Sequence, residues 1–357
     1  MKKSLILLPL AGLFLASCGS STGELPSGGD PVDPSKPEDV ANYATRLADC
    51  VEKTVVGSKN GVKLNGSIKI EDFSMKLEGD ADISAKDLEF TFSLGADFLD
   101  KESIKDWKVA AELSAKGNFK FSLPDPAINL DLNLDGFKVA AYLNEGVIYA
   151  DLSNEKLGSI VKTVIDQVAG DQKAIILPIV NEILVKNKIA GMLDGVEVPK
   201  LTSNVIDAKT KLMIATYASG FITEVSKMED YKDLLKFVSY SDGRLGLAVS
   251  SSDLSKITET DAQLSGKMNA SVLFGKEGKL ESIKESGEFG VKVVENNKQI
   301  ANINYKGEAS ISVEYGAISM PSFSDYVDSQ IPAIIEMFMG TEKQDTFPIY
   351  TESFIAE

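Results

Sequence analysis

A single alternation constrains this chain more than any other feature. From Trp107 to Leu123 the odd positions read Trp107, Val109, Ala111, Leu113, Ala115, Gly117, Phe119, Phe121 and Leu123, and most positions between them are polar. A period of two is the signature of a strand with one dry and one wet face. That asymmetry points to antiparallel pairing, because parallel sheets are covered on both sides. The run far exceeds the roughly five or six residues of an ordinary strand. It predicts either one long, strongly curved strand or two strands that share a parity.

The same period recurs on both sides. Val62, Leu64, Ile68 and Ile70 alternate with polar residues, as do Phe73, Met75, Leu77, Ala81, Ile83 and Ala85, then Leu88, Phe90, Phe92 and Leu94. Ile128, Leu130, Leu132 and Leu134 lead to Asp135-Gly136, a type I′ hairpin signal. Phe137–Leu143 and Val147–Leu152 then flank the turn Asn144-Glu145-Gly146. After an Asp242-Gly243 turn come Leu245, Leu247 and Val249, then Leu264, Met268, Ala270, Val272 and Phe274 before a turn at Gly275–Lys279. Phe289, Val291 and Val293 precede Asn296-Asn297. A second very long alternation follows: Ala301, Ile303, Tyr305, Gly307, Ala309, Ile311, Val313 and Tyr315.

Helical spacing interrupts this pattern four times. Val40, Tyr43, Ala44, Leu47, Cys50, Val51 and Val55 form one stripe that Gly57 can close, and Cys50 on it reads as a small buried hydrophobe. Residues 157–195 read as helical, as does a segment opening at Ser226-x-x-Glu229, a capping-box spacing, with Met228, Tyr231, Leu234, Leu235 and Val238 on one face. A last helix is predicted over Phe323–Met339, kinked at Pro332. No Pro/Gly-rich linker divides residues 38–340. The expectation is one α+β domain, a large curved antiparallel sheet resembling an unclosed β-barrel and covered by helices, with a weakly patterned tail over 341–357.

The N-terminus predicts a location. Lys2 and Lys3 precede an apolar run from Leu5 to Leu15, too short for the ~20 residues of a spanning helix but suited to a signal peptide. It ends in Leu15-Ala16-Ser17-Cys18, which resembles the bacterial lipobox. The resemblance implies that residues 1–17 are removed and that Cys18, acylated on its sulfur, becomes the first mature residue. The membrane would then be a partner through those acyl chains, each buried CH₂ contributing about 0.8 kcal/mol. Twelve of the nineteen residues from 19 to 37 are Gly, Ser or Pro, so 18–37 reads as a flexible tether of roughly 25 Å. Gly19 follows the cysteine. The family's sorting rule then favours an outer membrane in a two-membrane host, and an outward-facing cell-membrane position otherwise.

Composition excludes much chemistry. Histidine is absent, which removes imidazole catalysis and His-ligated zinc. Cys18 and Cys50 are the only cysteines, too few for a Cys₄ zinc site or an iron–sulfur cluster. Arg46 and Arg244 are the only arginines, and the formal charge of −16 becomes −18 once Lys2 and Lys3 are lost. Nucleic acid is therefore not expected as a partner. Asp131-Leu132-Asn133-Leu134-Asp135-Gly136 opens like an EF-hand loop, but the twelfth position is Tyr142 where a bidentate glutamate belongs, and a strand with a wet acidic face explains it. Alternating Glu78, Asp80 and Asp82 read the same way. Ser159-x-x-Lys162 reads as a helix N-cap with a solvated lysine. No metal, no cofactor and no catalysis are expected.

What remains is the apolar sheet face. Trp107, Val109, Ala111, Leu113, Ala115, Phe119 and Phe121, with Ile303, Tyr305, Ile311 and Val313, are candidates to line a ligand cavity, because small residues beside large ones leave room in a half-barrel. The same pattern also suits a fully packed core. The order of elements is similar to that of the LolA/LolB- and LppX/LprG-type lipoproteins, whose unclosed barrel and helical lid hold acyl chains. That resemblance spans about residues 38–340 and transfers no individual residue. It implies binding or transfer of a lipid or lipoprotein ligand; the alternative is a surface interaction or adhesion module with a packed sheet.

Overall fold

The computed structural model describes residues 29–77, 81–124, 127–168, a few positions between 170 and 180, and residues 188–193, 200–228, 235–240, 244–251, 262–295 and 298–328. The elements begin with β1 (Gly29–Pro31), α1 (Pro37–Gly57), β2 (Val62–Leu77), β3 (Asp82–Asp97) and β4 (Lys108–Leu123). There follow β5 (Ile128–Asn133), β6 (Phe137–Asn144), β7 (Val147–Asp151), α2 (Glu155–Val168), β8 (Lys188–Met192) and α3 (Ala208–Ser226). The second half comprises β9 (Leu235–Tyr240), β10 (Leu245–Ser251), β11 (Ala262–Phe274), β12 (Leu280–Glu295), β13 (Lys298–Tyr315) and the short β14 (Val327–Asp328).

All these strands join one open sheet in the order β1-β9-β10-β11-β12-β13-β2-β3-β4-β6-β7-β8-β14, with β5 also on β4. Every pairing is antiparallel except β14 on β8. The expected α+β architecture with a large open antiparallel sheet is what the chain forms. The two sheet-forming stretches meet through β13 and β2, paired from Tyr315↔Val62 to Ala301↔Leu77. The long alternation is one strand: β4 runs unbroken for 16 residues.

A line of irregularities crosses the sheet transverse to the strands. In β3, Asp87 and Leu88 together face Gly117, and Asp87 takes φ 49°. In β2, Glu71 is the extra residue between the partners of Lys306 and Gly307. Beyond it Gly307 pairs with Gly287. On the other side, Leu134-Asp135-Gly136 interrupts the strand that faces β4, so β5 pairs with Asn118–Leu123 and β6 with Lys108–Ala115 in the same direction. Bulges add local twist and bend a strand. Aligned across neighbouring strands, they crease the sheet.

That alignment corrects the reading of Asp135-Gly136 as a hairpin. The chain does not reverse there, because Gly117 sits opposite with φ 101° and both its backbone groups are held by the interruption. Asp135 Oδ1 accepts from Gly117 N at 2.8 Å, and Gly117 O accepts from Leu134 N at 2.8 Å. The Gly117 N–H bond is also the main reason the Asp135 carboxyl titrates below its ordinary range.

Other expectations also change. The predicted helix over 157–195 holds only in part: α2 covers Glu155–Val168 and the described residues 173, 174, 176, 178 and 180 are helical, but Lys188–Met192 is a strand on β7. Asn154 caps α2 by accepting from Leu157 N at 3.2 Å, so Ser159 lies inside the helix and its hydroxyl donates to Lys156 O. Ser226 ends a helix instead of opening one, and Leu235 and Val238 belong to β9. Tertiary pairing with β10 and β1 overrides the 3.6-residue spacing there. Phe323 to Asp328 form a turn and β14 rather than helix, and 329–339 lie outside the described residues. Gly29–Pro31 pair with β9, so the tether ends some eight residues earlier than composition suggests.

The well-packed core sits at one end. Val40, Tyr43 and Cys50 of α1, with Ile222 of α3, pack against Leu245 and Phe274, joined by Val32, Leu47, Phe237, Val272 and Leu280. Tyr43 donates to Gly246 O at 2.8 Å, and Leu280 N donates to Thr54 Oγ1 at 2.9 Å. Cys50 is buried in that core, and burial raises its thiol pKa.

Candidate functional site

Register carries the dry face across the whole sheet. Leu113 of β4 faces Phe92 of β3 and Val139 of β6; Phe92 faces Gly66 of β2, and Gly66 faces Ile311 of β13. Ile311 in turn faces Ile283, which faces Val272 and then Leu247. A second row lies beyond the crease: Leu132, Phe119, Ala85, Phe73, Tyr305 and Phe289. Val109, Ala111, Leu113, Ala115, Phe119, Phe121, Ile303, Tyr305, Ile311 and Val313 therefore lie on a single face, although β3 and β2 stand between the two strands that supply them. Trp107 falls outside β4. It caps the short helical turn Ile104–Asp106 and packs on Phe98 at 5.5 Å, so it marks the rim.

Burial on this face follows the crease. Ala85, Leu88, Ala115, Met268, Tyr305 and Ala309, which flank it, are buried. The residues on the opposite face beside them, including Lys86, Asp87, Lys116, Lys306, Lys267 and Glu288, are exposed. The sheet thus folds toward its apolar side, making a trough. Farther up its walls cover is lost: Leu94 is 41% exposed and Leu113 36%. Among the described residues, the helices pack chiefly on one another, on β5 and β6, and on β12, leaving β2, β3, β4 and β13 without extensive helical cover.

Side-chain size shapes the floor. Tyr305 lies along Gly307, where an added Cβ would sit 2.5 Å from its hydroxyl, and its ring tilts onto Phe289 at 5.0 Å between centroids. A charged residue enters the apolar face: Glu285, between Ala309 and Ala270, is only 4% exposed. Its place was not legible as a site, since in sequence it is one of 53 acidic residues. Phe73, Phe90 and Phe92 also belong to the trough. Their signal was present as a parity switch, odd to even between Ala85 and Leu88 and even to odd between Ile70 and Phe73, which marks the two bulges.

The wet face carries ion pairs at the crease, with Lys306–Glu71 at 2.7 Å, Lys116–Glu89 at 2.9 Å and Lys69–Glu308 at 3.4 Å. Lys120–Asp131 at 2.7 Å gives Asp131 the solvated strand role expected of it. Exposed pairs of this kind contribute little to stability. At the far end of this face residues 316–328 cross as a strap: Ile318 covers Gly95, and Phe323 stacks on Tyr149 at 3.8 Å. Cys18 lies outside the described residues.

No family model matches the chain, and no curated protein matches it. Solved structures that are similar in part include these two. One is a lipovitellin structure concerned with lipid–protein interactions, at 10% identity and a TM-score of 0.23, covering 74% of this chain and 26% of that one. The other is a putative AttH from Nitrosomonas europaea, at 8% identity and a TM-score of 0.14, covering 73% and 53%. The chain thus spans about a quarter and about half of those two proteins. Likenesses this slight leave function to be argued from the chain itself.

Proposed function

We propose that this chain is a lipid-anchored extracytoplasmic protein that binds or transfers a hydrophobic ligand, an acyl chain or lipid, in the trough without chemically altering it. One observation carries the reading: a continuous apolar face whose walls are half-open and which, among the described residues, has no extensive helical cover over its four central strands. Soluble proteins seldom expose contiguous apolar patches beyond a few hundred Å², and larger ones mark sites of binding. Along β4 alone the apolar positions from Val109 to Phe121 extend about 40 Å at the rise of a strand. Covering such a surface stabilises by about 25 cal/mol per Å², which rewards a long flexible chain with no polar demands. The lipobox-like Leu15-Ala16-Ser17-Cys18 supports the anchor, and metabolic labelling with a palmitate analogue tests it: label should be lost in Cys18→Ala.

The ligand reading is tested by titrating an environment-sensitive fatty acid into the protein. Saturable binding is expected, abolished by Leu113→Lys, which puts a charge on the trough wall. Because Leu113 is already part-exposed, the denaturant midpoint should stay nearly unchanged. Failure to bind any of a broad lipid panel, with no lipid co-purifying in native mass spectrometry, would overturn the carrier reading in favour of a surface interaction module.

A further inference from the structure

Helix α3 breaks the rule for surface helices. Its inner side is anchored by Ile222 and Val225, both buried, and by Lys211, which reaches Asp49 and Glu52 of α1. A polar opposite face is the norm. Here the exposed positions of the middle turns are Leu212, Met213, Thr216, Tyr217, Gly220 and Phe221. Leu212 is 68% exposed and Tyr217 73%. No charge stands among them. Exposed charges occur only toward the ends, at the N-cap Asp207 and at Lys209, Glu224 and Lys227, the last two paired at 2.7 Å. Among the described residues no helix, this one included, is long and apolar enough to cross a membrane.

Chain length supplies the second observation. The sheet begins at Gly29, eleven residues after Cys18. Eleven residues reach at most about 40 Å when extended, and as a flexible coil average about 20 Å. The tether's landing point is beside α3: β1 pairs with β9, Val32 N donates to Phe237 O at 2.7 Å, and the Phe237 ring meets that of Phe221 at 6.4 Å. From Gly29 to that contact is about 10 Å of strand. A cysteine embedded in lipid therefore holds this face of α3 within a tether's length of the same bilayer. Such a short link makes the second contact effectively intramolecular, so a weak interfacial affinity suffices.

We propose that the exposed face of α3 lies on the bilayer that anchors Cys18, with Leu212, Met213, Tyr217 and Phe221 seated at the headgroup–acyl boundary. This rests on the lipid-anchor reading and adds an orientation to it. Tyrosine and phenylalanine beside Leu and Met suit that boundary, where one end of a side chain is wet and the other apolar. The chain's strong negative charge favours attachment through apolar contact rather than through attraction to anionic lipid.

The test uses the full acylated chain in phosphatidylcholine vesicles, with an environment-sensitive fluorophore on Tyr217→Cys and, as a control, on Asn118→Cys on the wet face of β4; Cys50 is buried and takes no label. Expected are flotation with the vesicles, a blue shift at position 217, and a several-fold loss of its quenching by aqueous iodide, with neither change at 118. Adding Leu212→Glu and Phe221→Glu should restore the quenching while flotation persists. Flotation with a fully quenched probe at 217 would overturn the orientation and leave the anchor standing. A chain that does not float would overturn both. A Cys18→Ala chain that is dimeric in solution and already shields position 217 would assign the face to a second copy and overturn the proposal.

Discussion

The sheet has one apolar face but treats its two ends differently. At the β9–β12 end, α1 and α3 press Val40, Tyr43 and Ile222 onto Leu245 and Phe274, and the largest fully buried side chains, Ile222 and Leu245, are found there. Over β2, β3, β4 and β13 the same kind of surface is buried only where the crease folds it on itself. Stability is therefore concentrated in the helix-covered end. The open end keeps its apolar area available, which is how a binding surface differs from a core of similar composition.

Truncation should break this comparison most sharply. Leu245→Ala is expected to cost about 2–5 kcal/mol, because the buried site cannot collapse around the lost methyls. Leu94→Ala, in the open wall, should cost under about 1 kcal/mol. Denaturant midpoints of the two variants measure the contrast, and equal losses would mean the trough is a core after all.

The crease is the next target. An added Cβ at Gly117 would lie 2.2 Å from Asp87 O, in a backbone region that L-residues rarely adopt. Gly117→Ala should cost about 1–3 kcal/mol and shift the crease. Fatty-acid affinity should fall with it if the bend shapes the trough. An unaltered affinity would separate curvature from binding.

Filling the trough should have no larger an effect on stability, and one that depends on position. Ala115 is buried at the crease and Ala111 stands further up the wall. Ala115→Phe should overpack, costing about 1–3 kcal/mol. Ala111→Leu should leave the midpoint almost unchanged while weakening ligand binding, as read by the same fatty-acid titration.

The smallest effect concerns the loop between β3 and β4, which holds Asp100. Ser203, just before α3, gives Asp100 two hydrogen bonds, at 2.7 and 3.0 Å, and Lys59 lies at 3.1 Å. Those bonds, chiefly Ser203's, hold the Asp100 carboxyl at about 2 against an ordinary 3.8. Because the folded value is depressed, the contribution is present above the unfolded value and disappears as pH falls from about 4 toward about 2. Asp100→Asn should lower the denaturant midpoint slightly and evenly above about pH 4 and flatten its fall between about 4 and about 2.

Much of this was legible because alternation is local. The odd positions from Trp107 to Leu123 and from Ala301 to Tyr315 specify a one-sided strand wherever it pairs, and even the two bulges left a parity switch at Ile70–Phe73 and Ala85–Leu88. Helix α1 announced itself through a regular stripe. Helix α3 did not, since apolar residues on both its buried and exposed sides blur the periodic signal. Asp135-Gly136 misled because a tight-turn dipeptide also serves a bulge. Glu285 had no local mark at all.

The sequence by itself determined the pleat, the dry face, the absence of imidazole groups, and the lipobox-like start. Those follow from residue type and spacing within a few positions. Only the tertiary structure decided that β4 is one strand, that β13 joins β2, that the irregularities line up into a crease, and that α3 shows an apolar face to solvent. Each of these depends on which segment lies beside which across tens to hundreds of residues. Local propensity is nearly indifferent to that choice, and it is settled by the summed burial and hydrogen bonding of the whole sheet.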